Sequence, residues 1–300
     1  MLQLICLLCA LIVGYSFTAI KLPLKILNHG LFVIVIAILF VMGYEFGAST
    51  NDLWAQLIQI GKRVAVFGGL IFIANVLTLN FILRRANINL RHPEHSVVSA
   101  NFTQFIVESG KYVLIIIIGI TIGLFFHTPL SSLSQLINVL LILLLFIIGY
   151  QMRLSGVPLR NVLFNKLGLK VALLVLFSSL FAGVIGAWLL GINLRYGLML
   201  SSGFGWYTLS SILTGQLINQ DFGTTAFFID FSRELAAIIL LPSIGRFFPV
   251  TMVGYCGATA MDFSLPIIKQ NLDERCVLLA ISSGMLLSCI VPILIPLIAN

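Results

Sequence analysis

Charge is what this sequence has least of. Asp, Glu, Lys and Arg make up 9% of its 300 residues, hydrophobic residues 60%, and the mean hydropathy is +1.12. A soluble core of this length cannot absorb so many apolar side chains, so an ordinary soluble domain is excluded. Histidine is scarce as well. His29, His92, His95 and His127 fall in or beside connections, which leaves a rhomboid-like serine protease without a membrane base. The "HPEH" run at 92–95 lacks the spacing of a helical zinc site. Apart from one "CLLC" at the start, Cys6, Cys9, Cys256, Cys276 and Cys289 lie in apolar runs without paired spacing. They read as small buried residues, and neither a metal nor a cofactor is expected. No basic residue precedes the apolar run at 2–20, whereas Lys21 and Lys25 follow it. That pattern fits a retained first span with its N-terminus outside better than a cleaved signal.

What the chain has in abundance is apolar runs long enough to cross about 30 Å as helix, near 2–20, 29–47, 64–83, 106–126, 135–152 and 169–190. The expected fold is all-α and polytopic. Alternate connections carry Lys21 and Lys25, then Arg84, Arg85 and Arg91, then Arg153, Arg160 and Lys166, against only Lys62, Arg63 and Arg195 between them. The rule that cytoplasmic loops are basic therefore puts the N-terminus in the periplasm. The +7 balance reports topology and contact with membrane lipid rather than nucleic-acid binding. Glu45 and Glu108 stand near span ends and read as interfacial.

"FVMGYEF" at 40–46 echoes "FIIGYQM" at 146–152, and "KRVAVFGGL" at 62–70 lies a similar distance from "LKVALLVLF" at 169–177. Copies offset by three spans have opposite orientations, so 1–85 and 106–191 are expected as inverted three-helix repeats. The remaining segment, 195–300, is expected to form a glycine-broken transport core. Within it "LSSGFGWYTLSS" (200–211) and "GYCGATAMDFSLP" (254–266) look like broken or re-entrant helices, which membrane depth tolerates only when packed in protein or lining a wet cavity. If both are re-entrant the chain has eight full spans and Arg246, Lys269 and Arg275 all lie inside; if both cross, there are ten and Arg246 moves outside.

Asp230, Arg233 and Glu234 stand at i, i+3 and i+4 near the middle of a span covering 224–242, and Asp262 comes from the second broken segment. A charge at the bilayer centre costs roughly 2.5–3.5 kcal/mol on insertion scales. Two acids against one arginine leave a negative charge for a proton, a cation or a bound ammonium to neutralise. Asp230 and Arg233 could instead pair as a structural tie between helices. Intramembrane acids beside broken backbone point to transport. An aspartyl intramembrane protease would carry a GxGD-type motif, and Asp262 sits in "ATAMD".

"SGFGWYTLSSIL", "AFFIDFSRELAAIILLP" and "GYCGATAMDFSLP", in this order and spacing, resemble the LysO-type lysine exporter family of bacterial inner membranes. Mild departures are Ile229 before Asp230, where Asn is expected, and Thr208 and Ser211 within the tryptophan motif. The resemblance implies export of L-lysine and its toxic analogue thialysine, coupled to protons, with the family's two acids on Glu234 and Asp262. Those acids would alternately hold protons and the substrate ammonium, which is positive at neutral pH because its pKa is about 10.4. The substrate carboxylate would meet helix-terminal amides near Ser202 and Gly203, or Arg233. Gly205, Trp206, Tyr207, Gly257, Ala258 and Thr259 are the other broken-helix candidates. No enzyme activity is expected, and a homodimer is left open. The alternative is a sodium-coupled symporter of an organic anion built on the same acids.

Overall fold

The computed structural model describes residues 2–17, 23–49, 53–85, 102–126, 133–154 and 165–299. Lys21, Arg91, the 92–95 segment, His127 and Arg160 lie outside the described residues, as do the side chains of Glu45 and Glu108. The described residues are helical, without strands. Six helices make the first two-thirds: α1 (Leu2–Ser16), α2 (Leu24–Ser49), α3 (Leu53–Arg85), α4 (Phe102–Phe126), α5 (Leu133–Leu154) and α6 (Lys166–Leu190). The last third comprises α7 (Leu194–Leu200), α8 (Tyr207–Leu217), α9 (Gln220–Ile244), α10 (Pro249–Cys256), a 3-10 turn (Gly257–Met261), α11 (Leu265–Asn271) and α12 (Glu274–Ala299). Asparagine marks three helix starts: Asn165, Asn193 and Asn219 accept from the N–H groups of Gly168, Arg195 and Phe222. The segments His29–Ala48, Trp54–Ile82, Lys166–Leu190 and Glu274–Ala299 are each long and apolar enough to span a membrane.

Helix α3 starts eleven residues before the apolar run that marks it in the sequence, at Leu53 rather than near 64. Lys62 and Arg63 are therefore helical residues, not part of a connection. Arg63 is buried, with its guanidinium 4.4 Å from the ring centroid of Phe222 on α9, a contact that hydropathy cannot register.

Glycine sets the closest packing. On α2, Gly43 and Gly47 face Gly119 and Gly123 on α4, and each leaves room for the other helix's backbone: a Cβ at Gly119 would lie 3.0 Å from Tyr44 N, and one at Gly123 2.8 Å from Ala48 N. Both pairs have the four-residue spacing that lets membrane helices touch. The two helices run in the same sense, since Phe32 meets Tyr112 near their starts. α1 and α5 are likewise parallel, with Arg153 donating to Tyr15 O at 3.1 Å where both end. α3 and α6 are antiparallel and joined at their crossing by Asn75, which donates to Ser179 Oγ and accepts from Ser178 Oγ. Consequently α2, α4 and α6 start, and α3 and α5 end, at one face, called here the basic face for Lys25, Arg84, Arg85, Arg153 and Lys166.

The 194–217 segment enters and leaves at the opposite face. Tyr196, near its start, and Gly215, near its end, both pack on the first turn of α9, at Phe222 and Gly223. α9 runs parallel to α3 and ends at the basic face, from which α10 departs. α12 starts there too, with Ser282 beside Gly168 of α6. The 249–271 segment is therefore a second re-entrant hairpin, entering from the basic face.

Gly123→Val should lower stability by about 1–3 kcal/mol, because its side chain meets backbone that cannot yield. Gly69→Ala, with nothing within 4 Å of the new methyl, should be neutral or slightly stabilising. Thermal unfolding of the two purified variants in detergent tests the contrast.

Candidate functional site

The hairpin tips meet in the protein interior through backbone. Phe204 and Gly205 adopt left-handed φ values of 49° and 95° in the turn between α7 and α8, and Gly257 one of 68° where α10 ends. Ala258 N donates to Phe204 O at 2.9 Å across the junction. A side chain at 257 would run into that same carbonyl, and one at 205 would lie 3.2 Å from Cys256 O, so glycine is required on both sides.

Behind the tips runs α9. Asp230, 2% exposed, accepts from Gly205 N at 2.8 Å through Oδ1 and from the Ser210 hydroxyl through Oδ2, with Gly203 packed against it. One turn on, Arg233, 3% exposed, donates from Nε to Tyr255 O at 2.8 Å, while its Nη2 has no hydrogen-bond partner among the described residues. Asp230 and Arg233 do not pair with each other: each is committed to a different hairpin. Glu234 is wholly enclosed, and neither carboxylate oxygen has a hydrogen-bond partner among the described residues.

In front of the tips lies a cavity of about 520 Å³. Gly205, Trp206, Tyr207 and Thr208 of the first hairpin and Ala258, Thr259, Met261 and Asp262 of the second form one wall. Leu31 and Val35 of α2, Tyr112 of α4, Ile148 of α5 and Ile281, Met285 and Ser288 of α12 form the other, all but Ser288 in the halves of those helices nearer the basic face. Asp262 is exposed to this space, its Oδ1 accepting only from the adjacent Phe263 N at 2.6 Å. Trp206, Tyr207 and Tyr112 supply aromatic faces, with Tyr112 and Tyr207 6.0 Å apart.

Of the residues singled out in the sequence, Asp262, Gly205, Trp206, Tyr207, Ala258 and Thr259 share the cavity. Glu234, Asp230 and Arg233 lie behind it. Ser202 and Gly203 are buried and do not line the cavity, and the Ser202 amide donates to Met199 O at 3.1 Å, so these amides are not at the cavity. Tyr112 and Ser288 escaped sequence reasoning, because nothing in a continuous apolar helix marks which polar residue faces inward; Thr208 stood out only as a departure within the tryptophan motif. Among the described residues no group of three or more His, Cys, Asp or Glu could hold a metal ion.

The sequence profile of the lysine exporter LysO family matches residues 113–299, which include both hairpins, α9 and α12. The lysine exporter LysO of Escherichia coli (strain K12) is 37% identical over 286 residues, 95% of each chain. A putative lysine exporter of Haemophilus influenzae (strain ATCC 51907 / DSM 11121 / KW20 / Rd) is 38% identical over 184 residues, 60% of this chain and 92% of its own. No solved structure matches. A polytopic helical protein with acids held at the junction of two re-entrant hairpins, and related to the E. coli exporter along nearly its whole length, is a multi-pass membrane transporter and belongs to the lysine exporter LysO family.

Proposed function

We propose that this protein exports L-lysine, and with it thialysine, across the bacterial inner membrane in exchange for protons. The single observation that carries the reading is the division of labour between two acids: Asp262 opens onto the cavity, and Glu234 is sealed behind it. The E. coli relative's description as a lysine exporter supplies the substrate.

An ammonium entering the cavity finds one exposed carboxylate, Asp262, and the faces of Trp206, Tyr207 and Tyr112, which attract cations through their ring quadrupoles. In this reading the hydroxyls of Thr208 and Ser288, both at the cavity, and the first turn of α8 receive the substrate's carboxylate; no side chain caps α8 at Trp206. Glu234, sealed in the interior and without a hydrogen-bond partner among the described residues, is the acid assigned the proton in this cycle. In this cycle the cation held by Asp262 and the proton held by Glu234 are exchanged in alternation, as antiport requires.

Eight spans follow if the two hairpins are re-entrant in the membrane, with both chain ends outside. Arg246, Lys269 and Arg275 then join the other basic residues on the cytoplasmic side, and the cavity opens inward, ready to load. Helix pairing supports the inverted repeats 1–85 and 106–191, and extends them. Exchanging α1–α3 with α4–α6 turns the α1–α5 pair into α4–α2, and exchanging the hairpin–helix units as well turns α3–α9 into α6–α12 and α3–α10 into α6–α7; every one of these pairs is in contact. Rocking between such related halves is a common basis of alternating access.

A membrane-impermeant thiol reagent added outside should label Asn193→Cys and Asn219→Cys but not Phe247→Cys or Asn271→Cys; ten crossings would reverse the result at 219 and 247. In proteoliposomes loaded with lysine, an imposed proton gradient should drive efflux by the parent. Glu234→Gln should lose the gradient dependence, and Asp262→Asn should raise the KM for lysine by roughly tenfold or more. Absence of parent efflux under either gradient polarity would sink the lysine reading. Trp206→Leu should weaken lysine binding by about threefold to fivefold, corresponding to a cation–π contact of about 0.5–1 kcal/mol, without altering the proton dependence of efflux.

A further inference from the structure

We infer that Asp230 and Arg233 are positioning residues that fasten the two re-entrant hairpins to α9, one hairpin each, rather than groups that carry a proton or the substrate. Sequence position alone makes them look like part of the transported-charge site. They lie near the middle of the same helix as Glu234, and an acid and an arginine three residues apart are expected to pair. The geometry separates them. Asp230 spends both oxygens on the first hairpin, at Gly205 N and Ser210 Oγ, and Arg233 spends Nε on the second, at Tyr255 O. Neither lines the cavity.

Each bond answers a need created by the broken backbone. In the turn between α7, which ends at Leu200, and α8, the buried Gly205 N–H needs an acceptor; where α10 stops, Tyr255 O needs a donor. Buried backbone groups left unpaired are destabilising by a few kcal/mol each. A carboxylate and a guanidinium one turn apart on α9 supply the acceptor and the donor. The guanidinium also lies 5.3 Å from the Tyr255 ring centroid, and a methyl group at 257 would come within 3.0 Å of Nη2, so the second tip is moulded around this side chain. α12 supports its own hairpin differently: Gly284 lies against Ala258 O and Met261 N with no side chain between. The charged fastening thus belongs to α9 alone, beside Glu234, where a change in the state of that residue can reach both tips.

Peptide-resolved maleimide labelling in membrane vesicles tests this without reference to lysine, so its failure would leave the export reading untouched. Cys256, buried at the second tip, reports that hairpin; an added Ser202→Cys reports the first; Cys276, buried on α12, is the control for general loosening. Arg233→Ala should speed labelling of Cys256 by about fivefold or more, and Asp230→Ala that of the 202 thiol by a similar factor, with Cys276 unchanged in both. Asp230→Asn, which keeps an acceptor for Gly205 N–H without the charge, should label like the parent and leave the pH profile of efflux unmoved. Equal acceleration at all three sites would mean global destabilisation, and no acceleration would mean that the tips do not depend on α9. Either result, or a shifted pH profile in Asp230→Asn, overturns the inference.

Discussion

A backbone amide or carbonyl inside a membrane protein must find a partner, and the junction of the two hairpins is where that requirement is hardest to meet. Two chain segments stop being helical within a few ångströms of each other, far from bulk water. Three hydrogen bonds close the gap: Ala258 N to Phe204 O, Gly205 N to Asp230, and Arg233 to Tyr255 O. The glycines at 205 and 257 follow from this junction, because the two chains touch through backbone and have no space for a Cβ. So do the charges at 230 and 233, which would have no place on an ordinary apolar helix. In return the breaks expose Gly205, Trp206, Thr208, Thr259 and Asp262 along one wall of the cavity. Hairpins, charges and cavity stand or fall together.

Much of this was legible in the sequence, for identifiable reasons. Runs of glycine and small residues cannot hold a lipid-facing helix, so 200–211 and 254–266 announced themselves as breaks. The spacing of 230, 233 and 234 put three charged residues on neighbouring positions of one helix. Direction was not legible. Whether a break continues across or turns back depends on which helix each arm packs against, and arms such as α7 and α11, seven residues each, are too short to encode it. The start of α3 was hidden because Lys62 and Arg63 look like a loop to any hydropathy measure, whereas Arg63 lies over the Phe222 ring. The i, i+3 spacing of Asp230 and Arg233 suggested mutual pairing; the hairpin backbones, invisible in the sequence, compete for both side chains and win.

The pairing of helices is nearly symmetric, but the chemistry is not. α9 and α12 occupy equivalent places, each crossing behind its own hairpin. At the point of contact α9 presents Asp230 and α12 presents Gly284. The first unit is therefore held to α9 by charged hydrogen bonds, whereas the second is held by Arg233 of α9 and also by close backbone packing on α12. Close packing of glycine is insensitive to protonation and to cations, whereas a fastening beside Glu234 is not. A transporter that needs two alternating halves but only one point of coupling gains from this arrangement, since a charged group in both halves would have to change state in concert.

The same asymmetry explains why one acid faces the cavity and the other does not. In the proposed cycle Asp262, which opens onto the cavity, can take up a cation there and release it again by the same route. A carboxylate sealed like Glu234 could not exchange a bulky substrate, but it can exchange a proton whenever the tips shift by the width of a water molecule. Depth of burial thus sorts the two acids by the size of what each can carry. In the exchange proposed above, the enclosed acid suits the proton and the open one the amino acid, and a movement of the hairpin tips would bring their loads into competition.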